Sequence, residues 1–270
     1  MADTTIIPRK LEVDFSAVPR HWMYGNATAT AVANGVNMLF PWGERFFVRS
    51  VKHFLDHLED ETLRGQVKAF FAQEGRHASA HDDFNAILRA QGYAPDRFLA
   101  QYKRLAGWVE KRTSPELHLA ITVACEHFTA ILAEGAFTRG VLDEAAPEMK
   151  QLLAWHAAEE IEHKAVAFDV LKAVDPSYAL RLAGLAWATL LLGGFWFWGA
   201  ATLLRQDGIS LRAALRDLRR MRQGDPMIRR VFVKGIKQYL RRDFDPRDND
   251  DADLARTWFA ERGMTLPEAA

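Results

Sequence analysis

The sequence predicts an all-α fold: a four-helix bundle followed by a C-terminal apolar helical segment and amphipathic helices. Three observations lead to this prediction. Apolar residues recur at helical spacing through most of the chain, and no stretch alternates with period two as a half-buried strand does. Within two of the apolar stretches, a Glu and a His lie three residues apart, which places both side chains on one helical face.

The first two predicted helices follow an irregular N-terminal arm. Residues 1–25 contain two prolines and no apolar run, so we expect no regular structure there. A first helix is predicted over 27–39. Pro41 then opens a second helix that reaches residue 57, since proline is favoured in the first turn of a helix.

Four further helices are predicted, and caps and breakers set their limits. Gly92 ends the first of them, and Ser114 is the expected N-cap of the third. Pro147 precedes the fourth, which stops before the pair Asp175-Pro176. The predicted ranges are 59–91, 96–110, 117–137 and 148–174.

One pattern occurs twice: a Glu and, further along the chain, the motif Glu-x-x-His. Residues i and i+3 lie about 5–6 Å apart at Cβ on one helical face, so the Glu and His of each motif can bind the same metal ion. A lone Glu on a helix is usually a solvated charge, but Glu126 lies in the apolar stretch 121–132, where a solvent-facing charge is out of place. The predicted metal ligands are Glu44, Glu74 and His77 from the first copy, and Glu126, Glu160 and His163 from the second.

This ligand set is typical of a dinuclear metal centre inside four helices. Four carboxylates balance the charge of two divalent ions, so the cluster can be buried without net charge. Without the ions, burial of such a cluster would be very costly. Carboxylate oxygen combined with imidazole nitrogen suits iron or manganese, and zinc as well. We therefore expect two divalent metal ions, with iron in first place.

Three more histidines lie close to the predicted ligands in sequence. His81 follows one turn after the first motif, and His156 precedes the second by one turn. Each is a candidate hydrogen-bond partner of a ligand or a spare ligand, with a structural or solvent-facing role as an equal alternative. His127 neighbours Glu126 and so points about 100° away from it, which favours a place in the core or in the second shell.

The second motif has two competing registers, because Glu159 and Glu162 are also three residues apart. We prefer Glu160 with His163, since this register matches the first motif and includes a histidine. Glu159 and Glu162 are then expected as outer-shell or surface groups. Cys125 is expected to be a small core residue, because nothing in the sequence supplies a base to activate a nucleophilic thiol.

Long sequence blocks around these residues match a known family. The blocks are Phe40-Pro-Trp-Gly-Glu-Arg-Phe-Phe-Val-Arg-Ser-Val51, Gln73-Glu-Gly-Arg-His77 with His81, Glu126-His-Phe-Thr-Ala-Ile-Leu132, and Trp155-His-Ala-Ala-Glu-Glu-Ile-Glu-His-Lys-Ala-Val-Ala-Phe-Asp169. Over residues 7–178 the chain thereby resembles the bacterial family labelled "predicted metal-dependent hydrolase", a ferritin-like helical group.

The resemblance has implications for chemistry and for the role of each ligand. The label of the family implies hydrolysis, whereas ferritin-like enzymes with this ligand pattern activate oxygen at two irons. Gly75 is a small departure, which weakens its helix by about 1 kcal/mol relative to Ala. Carried over motif by motif, the resemblance implies terminal carboxylates at Glu44 and Glu126, bridging carboxylates at Glu74 and Glu160, and one imidazole for each ion at His77 and His163.

An uncharged apolar segment, 182–204, lies outside this resemblance. About twenty apolar residues suffice to cross a bilayer as a helix. Arginines follow the segment and predict a cytoplasmic location for that side, so a single crossing would place the metal domain outside the cell. Three interpretations of this segment remain open. It is a re-entrant or monotopic membrane anchor with a helix break at Gly193-Gly194, or a helix buried against the bundle or in a homodimer, or a true transmembrane span. We expect a cytoplasmic protein at the inner face of the membrane.

The remaining C-terminal sequence divides into three parts. The stretch 209–223 alternates apolar residues and arginines at helical spacing. It predicts an amphipathic helix suited to an anionic membrane surface or, equally, to packing on the bundle. An acidic linker at 243–253 and a short final helix at 254–263 follow. The predicted organisation is an arm at 1–25, a metal-binding bundle at 26–178, an apolar segment or hairpin at 179–205, and basic helices with the linker at 206–270.

Composition excludes several classes of protein. The 270 residues include 35 Lys and Arg and 35 Asp and Glu, and this neutral balance gives no reason to expect nucleic acid as a partner. The single cysteine rules out an intramolecular disulfide and fits a reducing compartment. The first twenty residues contain no apolar run, so we expect no secretory signal peptide.

Four functional hypotheses follow from the ligand pattern. The first is a di-iron enzyme that activates oxygen to oxidise an apolar small molecule or lipid, with an electron donor as partner. The alternative is a hydrolase in which the ions generate hydroxide. Metal storage or sensing without turnover is the third, and a purely structural bundle is the last. The apolar segment favours a homodimer where no membrane covers it.

Overall fold

A computed structural model describes residues 5–221 and 227–266, with the side chains at 220–232 outside that description. Within these residues the protein is helical and contains no strand, which confirms the all-α prediction. The helices are α1 (Ala27–Asn37), α2 (Phe40–Lys52), α3 (Glu61–Ala90), α4 (Asp96–Glu110), α5 (Pro115–Thr138), α6 (Pro147–His163), α7 (Val166–Val174), α8 (Tyr178–Gln206), α9 (Leu211–Met221), α10 (Met227–Tyr239) and α11 (Ala252–Ala260).

Local sequence sets the starts of the two longest ligand-bearing helices. The Ser114 hydroxyl accepts a hydrogen bond from the Leu117 amide and caps α5, as predicted. The Asp60 carboxylate caps α3 in the same way by accepting from the Thr62 amide. Each cap satisfies a backbone N–H group that has no partner inside the helix.

The helix α2 is shorter than predicted. Pro41 lies in its first turn, as expected, but the helix ends at Lys52 rather than at residue 57. The chain then makes a separate 3-10 turn at Leu55–His57. Because Glu44 lies near the start of α2, this difference leaves the position of the ligand unchanged.

The predicted helix 148–174 is two helices, α6 and α7. The helical pattern is interrupted at Lys164 and Ala165, directly after the second Glu-x-x-His motif. The Lys164 ammonium is buried there and donates to the backbone carbonyl of Asn249 and to the carboxylate of Asp251. The sequence did not predict this break, because both partners of Lys164 lie far away in the chain.

The four helices that carry the predicted ligands contact one another around a shared interior. The helices α2 and α6 each lie against both α3 and α5. Two large buried side chains pack on the candidate ligands: Phe70 lies edge-on to His163, and Trp155 lies edge-on to His77. The assignment of these helices as a four-helix bundle of the ferritin-like kind stays a prediction.

The apolar segment is one continuous helix, α8, so the break at Gly193-Gly194 that one of the three interpretations required is absent. The helix lies directly on α1 and α5 through small residues. A Cβ atom at Gly184 would collide with the backbone of Ala120 in α5, and a Cβ at Gly35 of α1 would lie 2.9 Å from the Ala200 nitrogen. These glycines let the backbones touch, which fixes one face of α8 to the protein.

The remaining C-terminal helices also pack on the ligand helices. The predicted amphipathic helix 209–223 is observed as α9, and its last two residues lie outside the described part. The helix α10 contacts α5, and α11 contacts α6. The predicted final helix begins and ends slightly earlier, and a 3-10 turn at Pro246–Asp248 interrupts the acidic linker. The predicted domain boundaries stay predictions.

Two of the described helices, α5 and α8, are long and apolar enough to cross a membrane by length and composition. In α5, 78% of the most apolar stretch is buried inside the protein, against 22% in α8. The helix α5 is therefore a core helix of the protein. In α8 most residues of that stretch are half-buried or exposed.

We predict that Gly75→Ala stabilises the protein by about 1 kcal/mol. Gly75 lies inside α3 on the exposed side, and an added Cβ atom meets nothing within 4 Å. Urea unfolding of the parent and the variant measures the difference. Gly184→Ala is the matched control and should destabilise, since its Cβ collides with backbone. A destabilising effect at Gly75 would show that a close neighbour has been missed.

Candidate metal centre

The predicted ligands converge in the interior, although they come from four helices. Glu44 lies on α2, Glu74 and His77 on α3, Glu126 on α5, and Glu160 and His163 on α6. Each of them is at most 4% exposed. Within α3 and α6 the i,i+3 spacing turns both members of each motif inward, as expected from helix geometry.

The two motif imidazoles face the same pair of carboxylates. His163 Nε2 lies 3.2 Å from Glu74 Oε1 and 3.5 Å from Glu160 Oε1. His77 Nδ1 lies 3.8 Å and 3.7 Å from the same two oxygens. On its other side, His163 Nε2 is 3.3 Å from Glu126 Oε2. Glu74 and Glu160 therefore each direct one oxygen towards both motif histidines.

The inward-facing atoms of this cluster lack hydrogen-bond partners among the described residues. They are both carboxylate oxygens of Glu44, Glu74 and Glu126, together with Nδ1 of His77 and Nε2 of His163. Buried polar atoms are almost always paired, and unpaired carboxylates are among the most costly groups to bury. A cluster of such atoms directed at one point fits a site for cations.

Electrostatics lead to the same conclusion. Burial raises the pKa of Glu44 well above its usual range, and the nearby Glu74 carboxylate adds to the rise. Burial, with the Glu160 charge, also raises the pKa of Glu126 to about 8. Burial alone would lower the pKa of His163, but the surrounding carboxylates outweigh it and raise that pKa well above the usual range. The cluster thus holds protons where divalent cations could replace them.

The residue that precedes the Glu of each Glu-x-x-His motif is hydrogen-bonded to the histidine of the other motif. Gln73 Oε1 lies 2.8 Å from His163 Nδ1, and Glu159 Oε2 lies 2.9 Å from His77 Nε2. Each contact fixes the outer nitrogen of an imidazole and directs the other nitrogen inward. Such partners orient metal-binding histidines in known sites. The structure thus places Glu160 with His163 in the cluster, and Glu159 outside it.

Arg9 in the N-terminal arm pairs with the carboxylates behind the cluster. Its backbone N–H donates to Glu159 Oε1 at 2.8 Å, and its guanidinium donates to Glu162 Oε2 at 2.9 Å. Gln73 Nε2 donates to the same Glu162 oxygen at 2.7 Å. The guanidinium lies 3.5 Å from the ring centroid of Phe259 in α11. No sequence pattern indicates this role of Arg9, because its partners are far along the chain.

His81 and His156 form a hydrogen-bonded chain that ends at the cluster. His81 Nδ1 lies 2.6 Å from Asn37 Oδ1, and His81 Nε2 lies 2.6 Å from His156 Nδ1. An amide oxygen only accepts, so His81 donates from Nδ1 and accepts at Nε2 from His156. Burial lowers the pKa of both rings and favours their neutral forms.

The other ring nitrogen of His156, Nε2, therefore carries a lone pair, and this lone pair is directed at two of the predicted ligands. His156 Nε2 lies 2.8 Å from Glu160 Oε1 and 3.6 Å from Glu44 Oε1. A lone pair and a carboxylate oxygen at these distances need a cation or a proton between them. Glu44, His81 and His156 also offer donor atoms within 4.8 Å of one another, as do His77, His156 and Glu160.

Two further residues of α5, His127 and Thr129, lie within one turn of Glu126. His127 lies in the core, one of the two places expected for it: its Nε2 lies 2.9 Å from the Gly235 carbonyl of α10, because its direction on α5 differs from that of Glu126. Thr129 was not predicted, yet its hydroxyl contacts Glu160 Oε2. It lies one turn after Glu126, a spacing that could have suggested the contact. Cys125 is buried, as expected.

Comparison with known proteins agrees with this geometry. A search of curated proteins and a search of solved structures each gave no significant match. The profile of a family described as "Predicted metal-dependent hydrolase" matches residues 7–250. The match extends well beyond residue 178, so α8 and α9 lie inside it, contrary to our expectation. The chain is a metal-dependent enzyme with buried Glu and His clusters suited to a divalent ion, and it belongs to the family of predicted metal-dependent hydrolases.

Proposed function

We propose that the chain is a hydrolase that holds two divalent metal ions among the six ligands and hydrolyses an apolar small molecule or lipid. One observation carries the proposal: buried, unpaired donor atoms from four helices face one another at a single place. The family description supports hydrolysis as the reaction. The mixture of carboxylate and imidazole donors suits iron, manganese or zinc.

The distances support a role for each ligand. Glu74 and Glu160 are proposed to bridge, since one oxygen of each faces both motif histidines. His77 and His163 would each bind one ion, held in place by Glu159 and Gln73. Terminal positions are left for Glu44 and Glu126. This is the assignment that the family resemblance implied.

His156 is proposed as an additional nitrogen donor. In the neutral hydrogen-bonded chain its Nε2 carries a lone pair directed at Glu44 and Glu160. His81 would act as a positioning residue, because it holds the Nδ1 proton of His156 and is itself held by Asn37. Of the roles left open for His156 by the sequence, that of a spare ligand is thereby preferred.

When bound, divalent ions supply Lewis acidity and lower the pKa of a coordinated water, as hydrolysis at neutral pH requires. The protein keeps the site dry on the side of the motif histidines. Trp155 packs edge-on to His77 at 4.8 Å between ring centroids, and Phe70 packs edge-on to His163 at 5.0 Å. A dry, low-dielectric surround strengthens the electrostatic action of the site.

The substrate is proposed to approach beside Phe40. This half-buried residue begins α2, and its ring lies 4.6 Å from the ring centroids of both His81 and His156. Trp42 and Phe46 stack with each other one turn further along the helix. An aromatic approach favours substrates with an apolar group, which supports the expectation of an apolar small molecule or lipid.

Oxygen activation at two irons, our first hypothesis from the sequence, receives no support from the comparisons. The ligand pattern is common to both reactions, so the residues alone do not separate them. The family description names hydrolysis and favours the alternative. With hydrolysis, no electron donor is required as a partner.

Anaerobic hydrolysis by metal-loaded protein tests the proposal. We expect the chain loaded with Zn²⁺ or Mn²⁺ to hydrolyse p-nitrophenyl esters without oxygen, and to prefer longer acyl chains. The Glu74→Ala/Glu160→Ala variant should lose this activity, because both bridging carboxylates are gone. Glu59→Ala/Glu144→Ala is the matched control, since both residues are exposed, and should keep it.

Two outcomes would contradict hydrolysis. The first is equal ester cleavage by the parent and by Glu74→Ala/Glu160→Ala, which would mean that the cluster is not the active site. The second is the absence of hydrolysis with every metal, together with oxygen uptake by ferrous-loaded parent. That result would favour the di-iron oxidase hypothesis over hydrolysis.

A further inference from the structure

The helix α8 carries an apolar face that no described part of the protein covers. Its exposed residues recur every three or four positions and include Leu190, which is 70% exposed, and Phe197, which is 62% exposed. No charged residue occurs between Arg181 and Arg205. We call this surface the outer face of α8; it comprises Ala183, Ala186, Leu190, Gly193, Gly194 and Phe197. Large exposed apolar surfaces mark sites of interaction with proteins or membranes.

The opposite face of α8 is fixed to the protein along its length. Gly184 touches the backbone of α5 near the start of the helix, and Gly199 lies against the Gly35 carbonyl of α1 near its end. Arg181 donates to the Arg241 carbonyl. To cross a bilayer as a separate span, α8 would have to give up all of these backbone contacts. The helix is therefore arranged to lie along a surface.

Unpaired arginines follow the apolar face. In α9, Arg212, Arg216 and Arg219 are exposed and have no carboxylate partner among the described residues. Leu211 and Leu215 are exposed on the same helix, at 54% and 47%. Elsewhere many arginines are paired, as in the ion pairs Arg20–Asp207, Arg49–Glu110 and Arg247–Asp169. Three exposed arginines without a carboxylate partner among the described residues thus lie in α9, the helix that follows α8 and contacts it.

A groove between α4 and the end of α8 adds two more cations. It measures about 700 Å³, and Phe98 and Trp198 form part of its apolar wall. Arg97 and Arg205 line the same groove, and neither has a carboxylate partner among the residues that the structure describes. An apolar wall with two free guanidinium groups suits a lipid, whose chain is apolar and whose head group is anionic.

We propose that the outer face of α8 and the arginines of α9 bind the surface of an anionic lipid bilayer, with α8 lying in the membrane plane rather than crossing it. This inference goes beyond the proposed function and does not depend on it. The outer face of α8 contains no acidic residue, so a homodimer through it would supply no partner of opposite charge for the arginines of α9. Anionic lipid instead neutralises them. The proposal keeps the chain on the inner face of the membrane, as the sequence predicted.

Vesicle flotation of the full chain tests the apolar contact. We expect the parent to float with vesicles that mix phosphatidylcholine and phosphatidylglycerol. Leu190→Glu/Phe197→Glu should lose most of this binding while keeping its circular dichroism and metal content, because both side chains point away from the core. Leu266→Glu is the control for an added charge at an exposed apolar residue, 40% exposed outside α8 and α9, and should float like the parent.

Neutralisation of charge tests the role of α9. Each arginine near an anionic surface contributes about fivefold in affinity, so Arg212→Gln/Arg216→Gln/Arg219→Gln should bind on the order of a hundredfold more weakly. The parent should also bind vesicles of phosphatidylcholine alone more weakly. The control variant removes the same charge from exposed lysines elsewhere, Lys52→Gln/Lys68→Gln/Lys172→Gln, and should bind like the parent.

Labelling from outside the vesicles tests the orientation of α8. Lys172→Cys and Ser210→Cys place thiols on either side of the helix, and the native Cys125 is buried. If α8 lies in the plane, a membrane-impermeant maleimide labels both positions. Labelling of only one position would establish a span and overturn the proposal. So would a dimer that fails to bind vesicles and dissociates in Leu190→Glu/Phe197→Glu.

Discussion

Divalent metal is expected to raise the melting temperature of the parent by on the order of 10 °C, and that of Glu74→Ala/Glu160→Ala by nothing measurable. Metal that binds only the folded chain stabilises it by about 4 kcal/mol at a concentration a thousandfold above the dissociation constant. For a chain of this size each kcal/mol corresponds to about 2–4 °C. Differential scanning calorimetry with and without Mn²⁺ or Zn²⁺ measures both shifts.

The size of the expected rise in melting temperature follows from the desolvation of the buried carboxylates. The oxygens of Glu44, Glu74 and Glu126 have no hydrogen-bond partner in the described residues, so cations meet donors that are already desolvated. In the double variant the two oxygens that face both histidines are missing. Glu59→Ala/Glu144→Ala should keep the full shift. Equal shifts in the parent and in Glu74→Ala/Glu160→Ala would show that the metal binds elsewhere.

Arg9→Ala is expected to destabilise the protein by about 3–5 kcal/mol, the cost of breaking a buried ion pair by removing one partner. The Arg9 side chain is only 4% exposed, and its partner Glu162 is 6% exposed. Without the guanidinium, Glu162 keeps Gln73 and the Ile7 amide as its donors among the described residues. Urea unfolding of metal-free protein measures the loss.

Two further variants make the Arg9 prediction specific. Lys10→Ala removes a neighbouring cation whose ion pair with Glu12 is exposed, with both side chains at 78%, and should cost almost nothing. Arg9→Ala/Glu162→Gln should recover part of the loss, because the uncompensated charge is then gone. The explanation fails if Arg9→Ala is as mild as Lys10→Ala.

The candidate ligands could be identified from the sequence because they obey local rules. The i,i+3 spacing of Glu74 with His77 and of Glu160 with His163 can be read directly from the sequence, and the structure brings both pairs together. The limits of α4 and the cap at Ser114 follow from equally local signals. Such features depend on neighbours within one or two helical turns.

The surroundings of the ligands were not predictable, because they depend on contacts between distant parts of the chain. Arg9 meets Glu162 across 153 positions, and His81 meets His156 across 75. No spacing rule connects such residues. The same limit explains the unexpected break after His163, where the partners of Lys164 come from the linker before α11.

The conformation of the apolar segment also could not be predicted, because it depends on contacts between distant parts of the chain. The pair Gly193-Gly194 offered a break, but both residues lie on the exposed side of an intact helix. The glycines that matter are Gly184 and Gly199, since they let α8 touch α5 and α1. Sequence alone does not separate a glycine that bends a helix from one that allows close packing.

Metal content of the purified chain, measured by elemental mass spectrometry on the parent and on Glu74→Ala/Glu160→Ala, tests the central claim most directly. The account predicts about two divalent ions per chain in the parent and almost none in the variant, with both proteins folded by circular dichroism. A folded parent that binds no iron, manganese or zinc, even after anaerobic reconstitution, would contradict the claim that these six residues form a metal centre.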